Sequence, residues 1–179
     1  KAASDHFVSA WHKTYNFPCI ITNCSNNYGP RQFPEKLIPF TINRILNKER
    51  ITLYGDGNNI RNWLFIEDHI DALILIALSG SPGKTYCIGA DKDISNINLV
   101  KIICKKVDDK TFSKVSSEGL IDFVIDRPGH DYRYSLDSSM LTKELGWRAQ
   151  TDLEIGLEKT INWYIENINW LSDIKQKNL

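Results

Sequence analysis

The sequence predicts an α/β fold: the C-terminal part of a doubly wound parallel sheet, followed by a smaller α/β domain. Two observations carry this expectation. Short runs such as Cys19-Ile20-Ile21 and Trp63-Leu64-Phe65-Ile66 are apolar on both faces, as inner strands of a parallel sheet are. Between them lie segments whose apolar residues recur at helical spacing, in irregular alternation with strands bounded by Gly turns.

In chain order, Ala3, Phe7, Ala10, Trp11 and Tyr15 fall at helical spacing and predict an amphipathic helix over residues 1–15, ended by Asn16 and the Phe17-Pro18 step. This helix opens at Lys1 without Met or a capping residue, which reads as the interior of a longer helix and the chain as a piece of a longer protein. Cys19 to Asn23 predicts a strand, and the polar stretch from Asn23 to Pro30 a loop. Lys36 to Asn47 predicts a helix that tolerates Pro39 in its first turn. Ile51 to Tyr54 is a strand stopped by Gly55-Asp56-Gly57-Asn58. Arg61 precedes the strand Trp63 to Ile66, and Glu67 and Asp68 open a helix whose run Ala72 to Leu78, apolar almost all round, predicts burial. Thr85 to Ile88 is a strand. Asn96 is the expected cap of a helix striped by Leu99, Val100, Ile103, Cys104 and Val107. Ile121 to Ile125 is a strand running into the polar loop Asp126 to Asp131. A short helix starts at Asp137 or Ser138 and stops at Gly146. Thr151-x-x-Glu154 reads as a capping box opening a helix with Leu153, Leu157, Ile161, Tyr164 and Ile168, and after Trp170 the pattern fades into a polar tail.

Composition narrows the function. The chain has 179 residues, 42% apolar and 11% aromatic, with 22 basic against 22 acidic side chains. Zero net charge gives no nucleic-acid or membrane surface, and no apolar run is long enough to span a bilayer. Cys19, Cys24, Cys87 and Cys104 contain no C-x-x-C pair and read as buried free thiols of a cytoplasmic protein. His6, His12, His69 and His130 lack metal-ligand spacing, and neither a G-x-S-x-G motif nor a Cys/His arrangement argues for a nucleophile. What remains is a set of polar residues that follow strands: Asn26, Asn27, Tyr28, Lys36, Arg61, Asn96, Arg127 and His130. Cations with neutral amides suit a phosphate ester, Arg forking onto two oxygens while amides meet sugar hydroxyls. Each is, taken singly, as consistent with a turn or a solvated charge. Tyr54 and Phe33 are positioned to stack on a base or simply to pack.

With these loops in view, the chain resembles the dTDP-glucose 4,6-dehydratases, within the extended short-chain dehydrogenase/reductases. The resemblance rests on Lys1-Ala2-Ala3-Ser4-Asp5-His6, on Asn23-Cys24-Ser25-Asn26-Asn27-Tyr28-Gly29-Pro30, and on Phe33-Pro34-Glu35-Lys36-Leu37-Ile38-Pro39. It continues through Tyr54-Gly55, Ile60-Arg61, Trp63-Leu64, Glu67-Asp68-His69, Thr85-Tyr86, Asp126-Arg127-Pro128-Gly129-His130-Asp131, Arg133-Tyr134 and Glu144-Leu145-Gly146-Trp147. Asn62 and Cys87 depart from the family, which often has Asp and Asn there.

The resemblance implies an NAD-dependent lyase with a Rossmann domain, acting on dTDP-glucose as a homodimer. Residues 1–30 would be a remnant of the NAD-binding domain, and 31–179 mainly the nucleotide-sugar domain with segments returning to the first sheet. The family's Tyr takes the proton of the sugar 4-hydroxyl, hydride passes from C4 to NAD, an acidic pair eliminates water across C5 and C6, and hydride returns to C6. Lys1 matches the Lys of the family's Y-x-x-x-K motif and would hold the nicotinamide ribose and lower the Tyr pKa. Asn27 would face NAD and Asn26 the substrate. Lys36 with Leu37, Ile38, Pro39, Phe40 and Thr41 would line the nucleotide-sugar cleft, and Thr52, Leu53 and Tyr54 would sit around the base. Arg61 and Arg127, in the loop Asp126-Arg127-Pro128-Gly129-His130, would hold the diphosphate with Asn96 and His130 close by. The Gly-rich loop, the catalytic Tyr and the acidic pair fall outside this sequence, so the 179 residues alone are expected to be inactive. Other readings are a related sugar-nucleotide epimerase, decarboxylase or dehydratase, or a non-catalytic nucleotide-sugar-binding domain. Phe7 and Trp11 suit either the dimer contact through this helix or an intramolecular core.

Overall fold

The computed structural model describes residues 1–170 and Ile174; the polar tail beyond Trp170 otherwise lies outside the described residues. Its centre is β4 (Ile60–Phe65), a strand buried on both faces. Successive side chains of a strand point to opposite faces. Trp63 and Phe65 therefore enter a large core with α2 (Leu37–Leu46), α4 (Asn96–Thr111) and α6 (Leu153–Glu166), whereas Leu64 enters a smaller one with α3 (Ile66–Ser79) and α5 (Ser139–Leu145). The same alternation sends Arg61 to the Trp63 side and Asn62 to the other.

Among the described residues the strands form four parallel pairs and one antiparallel pair. β1 (Ile21–Cys24) pairs with β5 (Thr85–Ile88), β2 (Asn26–Tyr28) with β4, and β3 (Ile51–Tyr54) with β7 (Ile121–Val124). The N-terminal half of β4 also pairs antiparallel with β6 (Asp93–Ser95) and parallel with β8 (Arg133–Tyr134). Preceding these is α1 (Ala2–Tyr15), closed by Asn16 in the left-handed region at φ 52°. The α/β class with parallel sheets is as expected from the sequence.

The α4 stripe lies wholly in the core, with Leu99, Val100, Ile103, Cys104 and Val107 at 0% exposure. Gly146 ends α5 at φ 72°, with Trp147 buried behind it. Several expectations need correction. The stretch Asn26–Tyr28 is a strand rather than a loop, because its backbone pairs with Trp63, Leu64 and Phe65. The first strand lies two residues later than expected at its start and pairs with β5 alone among the described residues, and Arg61 lies inside its strand. α3 is not buried all round: Asp68, Ala72 and Ile76 face inward, while Ile74 and Leu78 are 54% and 81% exposed, since the described elements cover one side only. Ser95, not Asn96, caps α4, its hydroxyl accepting from Asn98 N at 3.4 Å. Thr151 forms no capping box, because Asp152 holds the N-cap position and Thr151 N donates instead to buried Asp68 at 3.0 Å. α6 ends at Glu166, which leaves Ile168 outside it and 47% exposed.

Asp93 ties three strands together. Its carboxylate accepts from Asn62 Nδ2 at 2.9 Å, Ser135 Oγ at 2.8 Å and Arg133 at 2.6 Å. Burial pushes this carboxyl up, yet these donors outweigh it and hold it below the ordinary carboxylate range. A carboxylate lowered in the folded state stabilises above its unfolded pKa, and that contribution is lost as pH falls through the folded value. Asp93→Asn is expected to cost about 1–3 kcal/mol at neutral pH. The gap from wild type should close on acidification through the carboxylate range. Urea titrations at a series of pH values check this, and a gap independent of pH counts against it.

Candidate functional site

The odd-numbered face of β4 opens beside Arg61 and Trp63 into a cavity of about 310 Å³. β2 contributes Asn26 and Asn27. The following loop supplies Gln32, Glu35 and Lys36, and the first turn of α2 supplies Leu37 and Phe40. β3 brings Thr52, Leu53 and Tyr54, α4 begins with Asn96 at the wall, and the loop after β7 brings Arg127 and His130.

Residues far apart in sequence thus share one cleft, but not every expected one. Helical periodicity turns Leu37 and Phe40 toward the cavity and Ile38 and Thr41 into the protein, both at 0% exposure. Pro39 is also buried, and the Thr41 hydroxyl donates to Leu37 O at 2.7 Å. Asp126 stands behind the wall, where Oδ1 accepts from Arg127 N at 2.8 Å and contacts His130 Nδ1 at 2.7 Å. Pro128 and Gly129 form an exposed turn, Gly129 at φ 69°. Lys1 does not line the cavity; it caps α1, its carbonyl accepting from Ser4 N at 2.9 Å. Conversely, Gln32, Glu35 and Trp63 line the cleft without having been singled out from the sequence. Period-two spacing from Arg61 would have pointed to Trp63.

Arg61 is buried and anchored from below. It donates to Ile60 O at 2.7 Å and to Asp131 O at 2.8 Å. Burial lowers its pKa, Asp131 pushes it back up, and the positive charge of Arg127 lowers it further. Two guanidinium groups that repel across one wall form a seat for an anion, which would relieve both. Glu35 is the sole carboxylate among the described lining residues, and it is paired with Lys36 at 2.7 Å. Tyr54, half exposed, meets the His130 ring edge-on at 6.2 Å between centroids.

Around this cavity five buried polar atoms have no hydrogen-bond partner: Asn26 Oδ1, Asn27 Oδ1, Gln32 Oε1, Asn96 Oδ1 and Trp63 Nε1. A buried unpaired polar group costs about 1–3 kcal/mol. Their gathering on residues that line one cavity is the pattern of a site that pairs them with a polar ligand. The set comprises four acceptors and one donor, beside two guanidinium groups and an aromatic ring. Hydroxyls, an anionic diester and a flat base would match it together. Among the described residues no group of three or more His, Cys, Asp or Glu could hold a metal ion.

Comparison with known proteins shows the family and the fold. The family model described as GDP-mannose 4,6 dehydratase matches residues 1–160. The chain is 48% identical to a probable dTDP-glucose 4,6-dehydratase of Sinorhizobium fredii, over 99% of this chain and 51% of that protein. It is 47% identical to the dTDP-glucose 4,6-dehydratase of Neisseria meningitidis, over 97% of this chain and 50% of that one. Among solved structures, the dTDP-glucose 4,6-dehydratase of Bacillus anthracis in complex with NAD superposes with a TM-score of 0.89 at 36% identity, over 97% of this chain and 53% of that one. The Streptomyces venezuelae dTDP-glucose 4,6-dehydratase with NAD and TYD bound also superposes with a TM-score of 0.89, at 39% identity, over 95% of this chain and 51% of that one. The chain therefore spans about half the length of the curated relatives it matches.

Proposed function

The chain belongs to the GDP-mannose 4,6 dehydratase family, among the NAD-dependent epimerases and dehydratases, and from this we propose that it is the substrate-binding part of a dTDP-glucose 4,6-dehydratase. The full-length protein would convert dTDP-glucose to its 4-keto-6-deoxy product with transient reduction of NAD. The observation that carries this reading is the cleft wall: Arg61 and Arg127 beside five buried polar atoms without partners.

In this reading β1, β5 and α1 are the end of the Rossmann domain, and the cleft-forming elements make the nucleotide-sugar domain. Arg61 and Arg127 hold the diphosphate, and Tyr54 with Thr52 and Leu53 receives the base. Asn26, Gln32 and Asn96 take hydrogen bonds from hydroxyls, and the indole of Trp63 donates one. NAD fits the residues present to a limited extent: Asn27 offers a buried amide oxygen, and Lys1 an exposed cation at the head of α1. Bound NAD supplies the hydride acceptor and donor. This chain's own residues orient the sugar against it and hold its charged groups. Phe7, Trp11 and Tyr15, 54–67% exposed on α1, form the contact of a homodimer. The four free thiols suit the reducing cytoplasm.

The description of the matching family model favours a second reading, a GDP-sugar dehydratase. Offering the full-length protein dTDP-, UDP- and GDP-sugars decides between them. The expected result is loss of one water from dTDP-glucose, seen by mass spectrometry, with the 179-residue chain alone inactive. Preference for a UDP- or GDP-sugar would overturn the leading reading.

A further inference from the structure

His69 lies outside the cleft, on the first turn of α3, yet it contacts the side-chain amide of Asn27, which lines the cleft. Asn27 Nδ2 is 3.0 Å from His69 Nδ1 and 3.5 Å from Cys24 Sγ. The amide NH2 thus has an acceptor for each of its hydrogens. The backbone oxygen of Asn27 is taken as well, by Gln32 Nε2 at 2.8 Å. Only the side-chain carbonyl oxygen, fully buried, has no partner. Burial lowers the His69 pKa, which favours the neutral ring with one acceptor nitrogen.

We propose that His69 is a positioning residue: by accepting from Asn27 Nδ2 it locks the amide so that Oδ1 receives a hydrogen bond from a donor on the bound ligand. The donor is an amide N–H or a hydroxyl, supplied by the dinucleotide's carboxamide or by the sugar. Without the imidazole nitrogen the amide is free to turn over and present NH2 to the same ligand group, donor against donor. The inference rests on the proposed function for the identity of these ligands.

The test uses the full-length protein and compares ratios of affinity, which a general loss of folding does not move. One pair is NAD against 3-acetylpyridine adenine dinucleotide, which has no amide N–H. The other is dTDP-glucose against dTDP. The wild type is expected to favour the donor-bearing member of one pair by about tenfold, the worth of one buried hydrogen bond. His69→Leu should bring that ratio close to one. His69→Asn, whose Oδ1 can stand where Nδ1 stood, should restore it to within about threefold of wild type. Collapse in the first pair assigns the donor to the carboxamide, and collapse in the second assigns it to a sugar hydroxyl. If the wild type discriminates and His69→Leu keeps both ratios, the inference is wrong. If the wild type binds neither NAD nor dTDP-glucose, the proposed function itself fails, and the inference with it.

Discussion

Replacing Arg61 with Met in the full-length protein is expected to weaken binding of dTDP by about thirtyfold or more. Arg61 is 7% exposed, so its charge meets an anion with little water between them. Truncating one partner of such a desolvated, hydrogen-bonded charge pair costs about 2–5 kcal/mol, and each 1.4 kcal/mol is about tenfold in affinity. Met keeps most of the apolar bulk of the stem. The carbonyls of Asp131 and Tyr132, which the guanidinium also serves, keep Asn59 Nδ2 and Ile60 N as donors but lose one bond each, so some stability goes too. Arg127→Met separates the two effects. Arg127 is exposed and its side chain holds no loop together, so its loss should reduce affinity by about tenfold and leave urea stability within about 0.5 kcal/mol of wild type. Calorimetric titration with dTDP provides the measurement. Affinity of Arg61→Met within threefold of wild type would remove the anion seat from this cleft.

Ile103→Ala should produce the largest loss of stability, about 2–5 kcal/mol. The side chain is fully buried on α4, in the cluster that also holds Ile42 and Ile45 of α2 and Leu157 and Ile161 of α6. Packing within this cluster limits how far the hole can close, so lost transfer energy and the cavity add. Ile103→Val should cost only about 0.5–1.5 kcal/mol. Asn96, at the cleft, lies seven residues upstream, at the first position of the same helix. Ligand affinity measured well below the unfolding transition should therefore stay within about threefold of wild type. A loss below about 1 kcal/mol for Ile103→Ala would mean that this core repacks.

Much of the cavity's lining was legible in residue type, because cations and amides that follow strands carry a chemical meaning of their own. Asn26, Asn27, Lys36, Arg61, Asn96, Arg127 and His130 are such residues, and all line one cavity. The contiguous run Leu37 to Thr41 was too broad, since a helix gives a cleft only every third or fourth residue. Trp63 and Gln32 went unnoticed because an indole in an apolar strand and an amide in a loop look ordinary without their neighbours. His69 reads from sequence as a helix residue with no metal spacing; only its 3.0 Å approach to Asn27, forty-two positions away, ties it to a residue of the cleft.

By itself the sequence determined the helices with long apolar stripes, above all α4. It also determined the Gly-bounded strands β3 and β5 and the motifs that place the chain in its family. These depend on local periodicity and local sterics, which neighbours along the chain suffice to define. The tertiary structure alone decided that Asn26–Tyr28, Asp93–Ser95 and Arg133–Tyr134 are strands, for segments of two or three residues owe that conformation to β4 beside them. It also decided which side of α3 is covered, and that Arg61 and Arg127 share a wall. The physical reason is that burial and charge proximity are properties of space. β4 converts a two-residue alternation into two cores and one polar cleft only once the other strands have paired with it.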